Sequence, residues 1–463
     1  MLFLLFGMTI VPTIDAGIEK ISEKSDEFQD LTNSDFQTYK LLIITPKKFA
    51  VYLEQLKTHK EKIGISTYLA TLDEIYDNMS NQGRDDAEKI KYFIKESIEN
   101  WGIEYVLLVG GKTGQFNSWN LPARYIGIGN SWEKQILSDL YFADIYDDEG
   151  NFSSWDSDND GNYVEWYHGE QPEDRYIDLS PDIAVGRLPC RNILEVITIV
   201  NKIIRYEKTA YNKPWFNDMV AIAGDTYPEF QNPDWAGNEG EYYADMAFEN
   251  MTSFNPVKLY TSEGTLTGWE DSIKALNKGC GFVYFVGHGS AISWSTHYPN
   301  SKNWTKSFMV SHMPQLINFD KLPICVVSGC HNNQFDITIF NLFNETKKRH
   351  GEAGYECWGW RMTRKIFGGS IATIGCSALG YTKEDKVLFK GGINELEGQF
   401  FKEYGQNGVD VIGDTWKAAI NWYVDTYPVP WGENLTNDAW VDVQVPSTWT
   451  LIGDPSLKIG GYP

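Results

Sequence analysis

Cysteine is scarce in this chain: there are six in 463 residues, with no Cys-x-x-Cys pair and no Cys/His cluster at zinc-ligand spacing. A disulfide-built scaffold and a zinc finger are therefore excluded. Positive charge is short as well, with 40 Lys and Arg against 63 Asp and Glu and a net charge of −23. By net charge, nucleic acid and anionic membranes are poor partners. Long apolar runs are also missing. The stretch Met1–Pro12 is too short to cross a bilayer, and no membrane-spanning segment follows it. With Thr13-Ile14-Asp15-Ala16-Gly17 behind it, that stretch resembles the apolar centre and small-residue end of an export signal, although no Lys or Arg precedes it. Together with the sequons at Asn250 and Asn303, it predicts an extracellular or cell-surface protein.

What is present is a globular composition, 42% hydrophobic and 14% aromatic with 17 Trp, in a chain too long for one core. Residues 1–38 end in a polar stretch and read as a leader and linker, or the remnant of a pro-segment. Apolar runs then alternate with amphipathic segments. Lys40–Pro46, Glu104–Gly111 and Asp182–Arg187 read as strands. Asp85 and Asp86 are capping candidates for a helix with Ile90, Phe93, Ile94 and Ile98 on one face. A second helix carries Leu194, Ile197, Val200 and Ile204 on one side. The pattern restarts after Lys213-Pro214-Trp215 with Met219–Asp225, Gly281–Gly287, Pro323–Ser328, Ser370–Cys376 and Trp449–Ile459. This alternation predicts an α/β protein with two parallel-sheet subdomains, residues 39–212 and 213–463.

Two of these runs end in chemistry. One delivers His288 inside Gly287-His288-Gly289-Ser290, and the other delivers Cys330 inside Ser328-Gly329-Cys330-His331. Parallel sheets build their sites beyond the carboxyl ends of the strands. If the two strands are neighbours, an imidazole and a thiol meet there. A thiolate attacks a carbonyl, and the imidazole takes its proton and later returns it to the leaving amine. The amides of Gly289 and Cys330 are the candidate donors to the developing oxyanion. Cys325 and Cys376 lie inside apolar runs and read as core residues.

Further markers are Gly83-Arg84-Asp85-Asp86, Tyr105–Gly110, Val185-Gly186-Arg187 ahead of a helix ending Arg205-Tyr206-Glu207, and Trp449–Leu457. With the His288 and Cys330 strings, they make residues 40–463 resemble the gingipain family of secreted cysteine peptidases, in the caspase-like clan. The resemblance implies a smaller α/β subdomain followed by a caspase-like one of three layers (α/β/α). It implies His288 as general base, Cys330 as nucleophile, and an acidic residue behind the histidine, Asp225, with Glu229 close by. It further implies a thioester acyl-enzyme, protein or peptide substrates, and no cofactor for the chemistry. A pocket for basic side chains would draw on Glu239, Glu241 or Asp245, with Glu241 as the expected ligand and Tyr381 as an aromatic wall. The competing reading is an inactive peptidase-fold module that binds peptide or glycan on an aromatic-rich surface including Trp358, Trp360, Trp431 and Trp440.

Between the strands of the first half, Asp156, Asp158 and Asp160, then Gly161 and Glu165, imitate a calcium loop. The EF-hand spacing fails, because its twelfth position is Tyr167. A structural Ca2+ and a solvated acidic loop are both compatible with this pattern.

Overall fold

The apolar runs become the strands of one ten-stranded sheet. In chain order these are β1 (Leu41–Thr45), β2 (Thr67–Thr71), β3 (Tyr105–Val109), β4 (Ala184–Leu188) and β5 (Asp218–Ala223), then β6 (Asn255–Tyr260), β7 (Phe282–Val286), β8 (Ile324–Ser328), β9 (Ala372–Cys376) and β10 (Trp449–Ile452). The computed structural model describes residues 38–129, 133–167, 169–228, 237–383 and 390–463. The expectations for the N-terminal segment fall on residues outside these, apart from Thr38, and so does Glu229. Tyr39–Pro463 forms one compact unit.

Across the sheet the order is β6-β5-β7-β8-β9-β10-β4-β3-β1-β2. Strands from residues before 212 occupy one half and later ones the other. Within each half neighbours are parallel, but β10 runs against β9 and alongside β4, so the two halves run in opposite senses. Strands β1, β3, β7, β8 and β9 are buried at every position. That is why they read as unbroken apolar runs: parallel strands carry cover on both faces. At the seam Arg187 is fully buried; its guanidinium donates to both oxygens of Asp139, at 2.7 and 2.8 Å, and to the carbonyls of Gly110 and Pro122.

The helices follow local rules. Asp85 caps Asp86–Trp101 by accepting from the Glu88 amide at 2.8 Å, and Gly102 ends that helix in the left-handed conformation. The helix Ile193–Thr209 corrects one expectation. Its buried stripe is Val196, Ile199, Val200, Ile203 and Ile204, whereas Leu194 and Ile197 point to solvent. At 3.6 residues per turn, 196, 200 and 203 share the face that 194 and 197 leave. The aromatic-surface reading loses two members. Trp358 and Trp360 are core residues, and the half-buried Trp431 and Trp440 pack against Trp166 and Tyr381.

Candidate active site

The register between β7 and β8 pairs Val286 with Ser328. His288 and Cys330 each lie two residues further on, so the strands release them at the same level of one edge. Past Cys330 the backbone turns sharply, with His331 in the left-handed region at φ 60°. The glycine turns are pressed together. A Cβ on Gly289 would stand 2.6 Å from the Cys330 carbonyl oxygen, and one on Gly329 would stand 3.1 Å from the Gly289 nitrogen. Both would also strike the Asn332 side-chain oxygen. Only residues without a Cβ allow this approach.

Asn332, unremarked in the sequence, clamps the two turns. It is buried, and its Nδ2 donates to the carbonyls of Ser290 at 2.8 Å and Ser293 at 3.0 Å. Asn332→Ala leaves both carbonyls without that donor. We expect a loss of roughly 2 kcal/mol in stability, read as a lower thermal midpoint. An unchanged melt contradicts the clamp.

The ring of His288 is oriented by a backbone atom. Its Nε2 lies 2.7 Å from the carbonyl oxygen of Thr226. A carbonyl only accepts, so this nitrogen carries the proton and Nδ1 is left as the basic lone pair. Tyr227, His297 and Trp304 pack edge-on around the ring, with centroids 6.4, 5.5 and 5.2 Å away. Burial holds the imidazole below its ordinary pKa; the Thr226 carbonyl and the Asp225 charge oppose this, and His297 adds to it.

Asp225 is fully buried, but its carboxylate does not hold the ring. Its Oδ2 accepts from the Asn300 amide at 2.7 Å, and it reaches His288 through charge alone. The orienting contact expected of Asp225 therefore belongs to the neighbouring backbone.

Cys330 is the one cysteine of the six that is not buried, and all six are free thiols. Its sulfur is approached by the Gly380 amide at 3.4 Å and by the amides of Cys330 itself and Gly289. Three N–H groups thus converge on the sulfur. Burial nonetheless lifts the thiol pKa, and the nearby Glu133 carboxyl adds to the lift. Thiol and imidazole both rest neutral.

The remaining residues sort unevenly. Tyr381 is half-buried, within range of the Cys330 charge, and packs on Trp440 at 4.4 Å. Glu241 does not face it: its carboxylate accepts from the Thr261 hydroxyl at 3.1 Å and from the amide and hydroxyl of Ser262. Glu239, two residues earlier, is an acidic group beside Tyr227 and Asp225. It starts the helix Glu239–Asn250, whose Gly240 amide donates to the Gly224 carbonyl at the end of β5, and its charge reaches Tyr227 beside Cys330. Glu239 is fully buried; desolvation and then the facing Asp225 carboxyl push it up to about 7, against the amides of Glu239 and Gly237.

On the other side, Glu133 is pushed up to about 7 by burial and lies 3.4 Å from His331 Nε2. Of the calcium candidates, Asp156 and Asp158 gather with Asp174, and Asp158 and Asp160 with Glu173. Glu165 stands outside both groups and accepts from the Tyr167 hydroxyl at 3.0 Å.

With this geometry in view, the family model for peptidase family C25 matches residues 34–460. The chain belongs to peptidase family C25. Gingipain R2 of Porphyromonas gingivalis is 21% identical over 477 residues, covering 98% of this chain and 52% of that protein. Gingipain R1 of Porphyromonas gingivalis is 21% identical over 430 residues, covering 91% of this chain and 34% of its own length. The chain thus spans about half or less of the curated relatives it matches. Among solved structures, the Arg-specific cysteine proteinase gingipain R superposes with a TM-score of 0.61 at 19% identity, over 92% of this chain and 79% of that one. The complex of pro- and mature domains of RgpB from Porphyromonas gingivalis gives 0.60 at 19%, over 91% and 79%. The C25 catalytic unit has the caspase-like α/β fold that gingipain R shares.

Proposed function

We propose that this chain is an exported cysteine endopeptidase that cleaves proteins after basic residues. One observation carries the chemistry: the only cysteine reachable from solvent and a histidine with its Nδ1 lone pair free leave adjacent strands at the same level. Cys330 Sγ attacks the scissile carbonyl carbon as its proton passes to His288 Nδ1. The amides of Gly289, Cys330 and Gly380 take the oxyanion. On collapse the C–N bond breaks, His288 returns the proton to the leaving amine, and a thioester remains for water to hydrolyse.

The preference for a basic side chain rests on Glu239 and Asp225, two buried carboxyls that face one another with no Lys or Arg paired to them among the described residues. A guanidinium or ammonium would neutralise the pair. The Arg specificity named for gingipain R agrees with this reading. The test is a peptidyl acyloxymethyl ketone ending in Arg, with the adduct located by peptide mass. We expect labelling at Cys330, outcompeted by Arg- and Lys-ended peptides. Labelling elsewhere, or equal competition by neutral peptides, contradicts the assignment.

Acidity gives a second readout. The base must be neutral to accept the thiol proton, so activity is lost as pH falls through the His288 pKa, which lies below the usual 6.5. The raised thiol pKa puts the Cys330 ionisation on the alkaline side. We expect kcat/KM to stay level across neutrality, with its acid limb below pH 6.5. An acid limb above that value contradicts a neutral resting pair.

For the acidic loop we propose a structural Ca2+ held by Asp156, Asp158 and Asp174, with Asp160 and Glu173 beside it, replacing the expected set that included Glu165. Burial pushes Asp174 up to about 6, and the Asp156 and Asp158 charges add to it, so a cation would relieve Asp174. Calcium should raise the melting midpoint and a chelator should lower it. A melt insensitive to both retires the ion.

A further inference from the structure

An exposed apolar turn lies near the candidate site. In the single 3-10 turn Ile339–Phe343, four of five residues are apolar and solvent-facing: Ile339 is 39% exposed, Phe340 50%, Leu342 51% and Phe343 86%. The rings of Phe340 and Phe343 stack on each other at 6.5 Å rather than on the core. Phe116 is 66% exposed, and its neighbour Gln115 accepts from the Ile339 amide at 2.9 Å, which extends the patch. Apolar exposure concentrated in this way marks a surface that meets something.

Besides Gln115, two further contacts fasten the turn. Thr338 bridges to Ala353, and Asn341 Nδ2 donates to the Glu352 carbonyl at 2.9 Å. Directly after it Asn344 caps the short helix Glu345–Arg349, which places Lys347, Lys348 and Arg349 together. The Lys348–Glu345 pair, at 3.8 Å, is mostly exposed and offsets little. Here an apolar turn is followed directly by three consecutive cations, in a chain of net charge −23.

We propose that this tip docks the protein on an anionic lipid surface. Shape favours a bilayer over a peptide. Peptide recognition uses a groove or a free strand edge, and this turn projects instead of enclosing. A fluid acyl boundary needs only protruding aromatic and aliphatic side chains with cations at headgroup level. The overall negative charge does not oppose such docking, because charges more than about 8 Å away are screened at physiological ionic strength. The dock adjoins the candidate site: His331 contacts Gln334 at 3.0 Å, and Gln334 Nε2 donates to Glu352 at 3.2 Å, at the foot of the turn. The inference stands without the catalytic reading.

The experiment is sedimentation of the whole protein with phosphatidylcholine vesicles, with and without phosphatidylserine, at low and high salt. We expect wild type to pellet with phosphatidylserine vesicles and to be released by salt. F340S/F343S should bind at least about tenfold more weakly. K347Q/K348Q/R349Q should lose the preference for phosphatidylserine, roughly fivefold per charge. Circular dichroism and melting midpoints like those of wild type show that both variants fold. Wild type left in the supernatant, binding blind to phosphatidylserine, or folded variants that bind as wild type each overturn the proposal. So does a result in which vesicles are ignored and F340S/F343S slows digestion of a folded protein but not of a short peptide, since the patch then serves a protein partner.

Discussion

Cys330→Ala is expected to reduce peptide hydrolysis by at least ~10^4-fold while leaving the melting midpoint near that of wild type. The side chain is only partly buried and lies beyond the end of β8, so its removal opens no core cavity. His288→Ala should cost a similar factor, because a thiol whose pKa is raised by burial gains nucleophilicity only when the base takes its proton in the same step. The double variant should be no worse than either single one, since two parts of one proton-transfer unit are lost together and not in sequence. Residual activity would come from the three amides and from substrate binding, which neither change touches. The five other cysteines are buried and should stay unlabelled by a charged thiol reagent in the folded protein. Activity within tenfold of wild type in the Cys330→Ala protein would falsify the nucleophile assignment.

The position of the Cys/His pair was legible because a fully buried parallel strand has no alternating pattern to obscure its end. Phe282–Val286 and Ile324–Val327 are runs of aliphatic, aromatic and Cys side chains, and glycine follows soon after each. What orients the imidazole was not legible. The Thr226 carbonyl is a backbone atom, and every residue supplies one. Asp225 drew attention as the carboxylate at the end of β5, while the working contact came from the residue after it. The Gly380 amide and Glu133 belong to distant segments that only the tertiary fold brings to the sulfur. Helical rotation separated the two glutamates. At about 100° per residue, Glu241 turns some 200° away from Glu239, so one meets Thr261 and Ser262 and the other meets Asp225. The same rotation turned Leu194 outward, where the sequence pattern had enrolled it in the core.

Glu239→Gln should separate specificity from stability. The native carboxyl is raised to about 7 from an ordinary value of 4.5, so the folded state holds a proton that the unfolded chain releases. Stability from this group is full below pH 4.5 and is lost as pH climbs to about 7; above that, folding carries the cost of a second buried negative charge beside Asp225. Glutamine keeps the shape and removes the charge. At pH 8 the variant should therefore melt higher than wild type, by roughly 2 °C, and at pH 4 the difference should vanish. Activity should move the opposite way. With half of the anionic pair gone, kcat/KM for Arg-ended peptides should fall by about 100-fold, carried mainly by KM, while neutral peptides change little. A residue that only supported the fold would lower stability and slow every substrate alike. A variant that melts higher at pH 8 yet keeps full preference for Arg would remove Glu239 from the pocket and leave the buried pair unexplained by substrate charge.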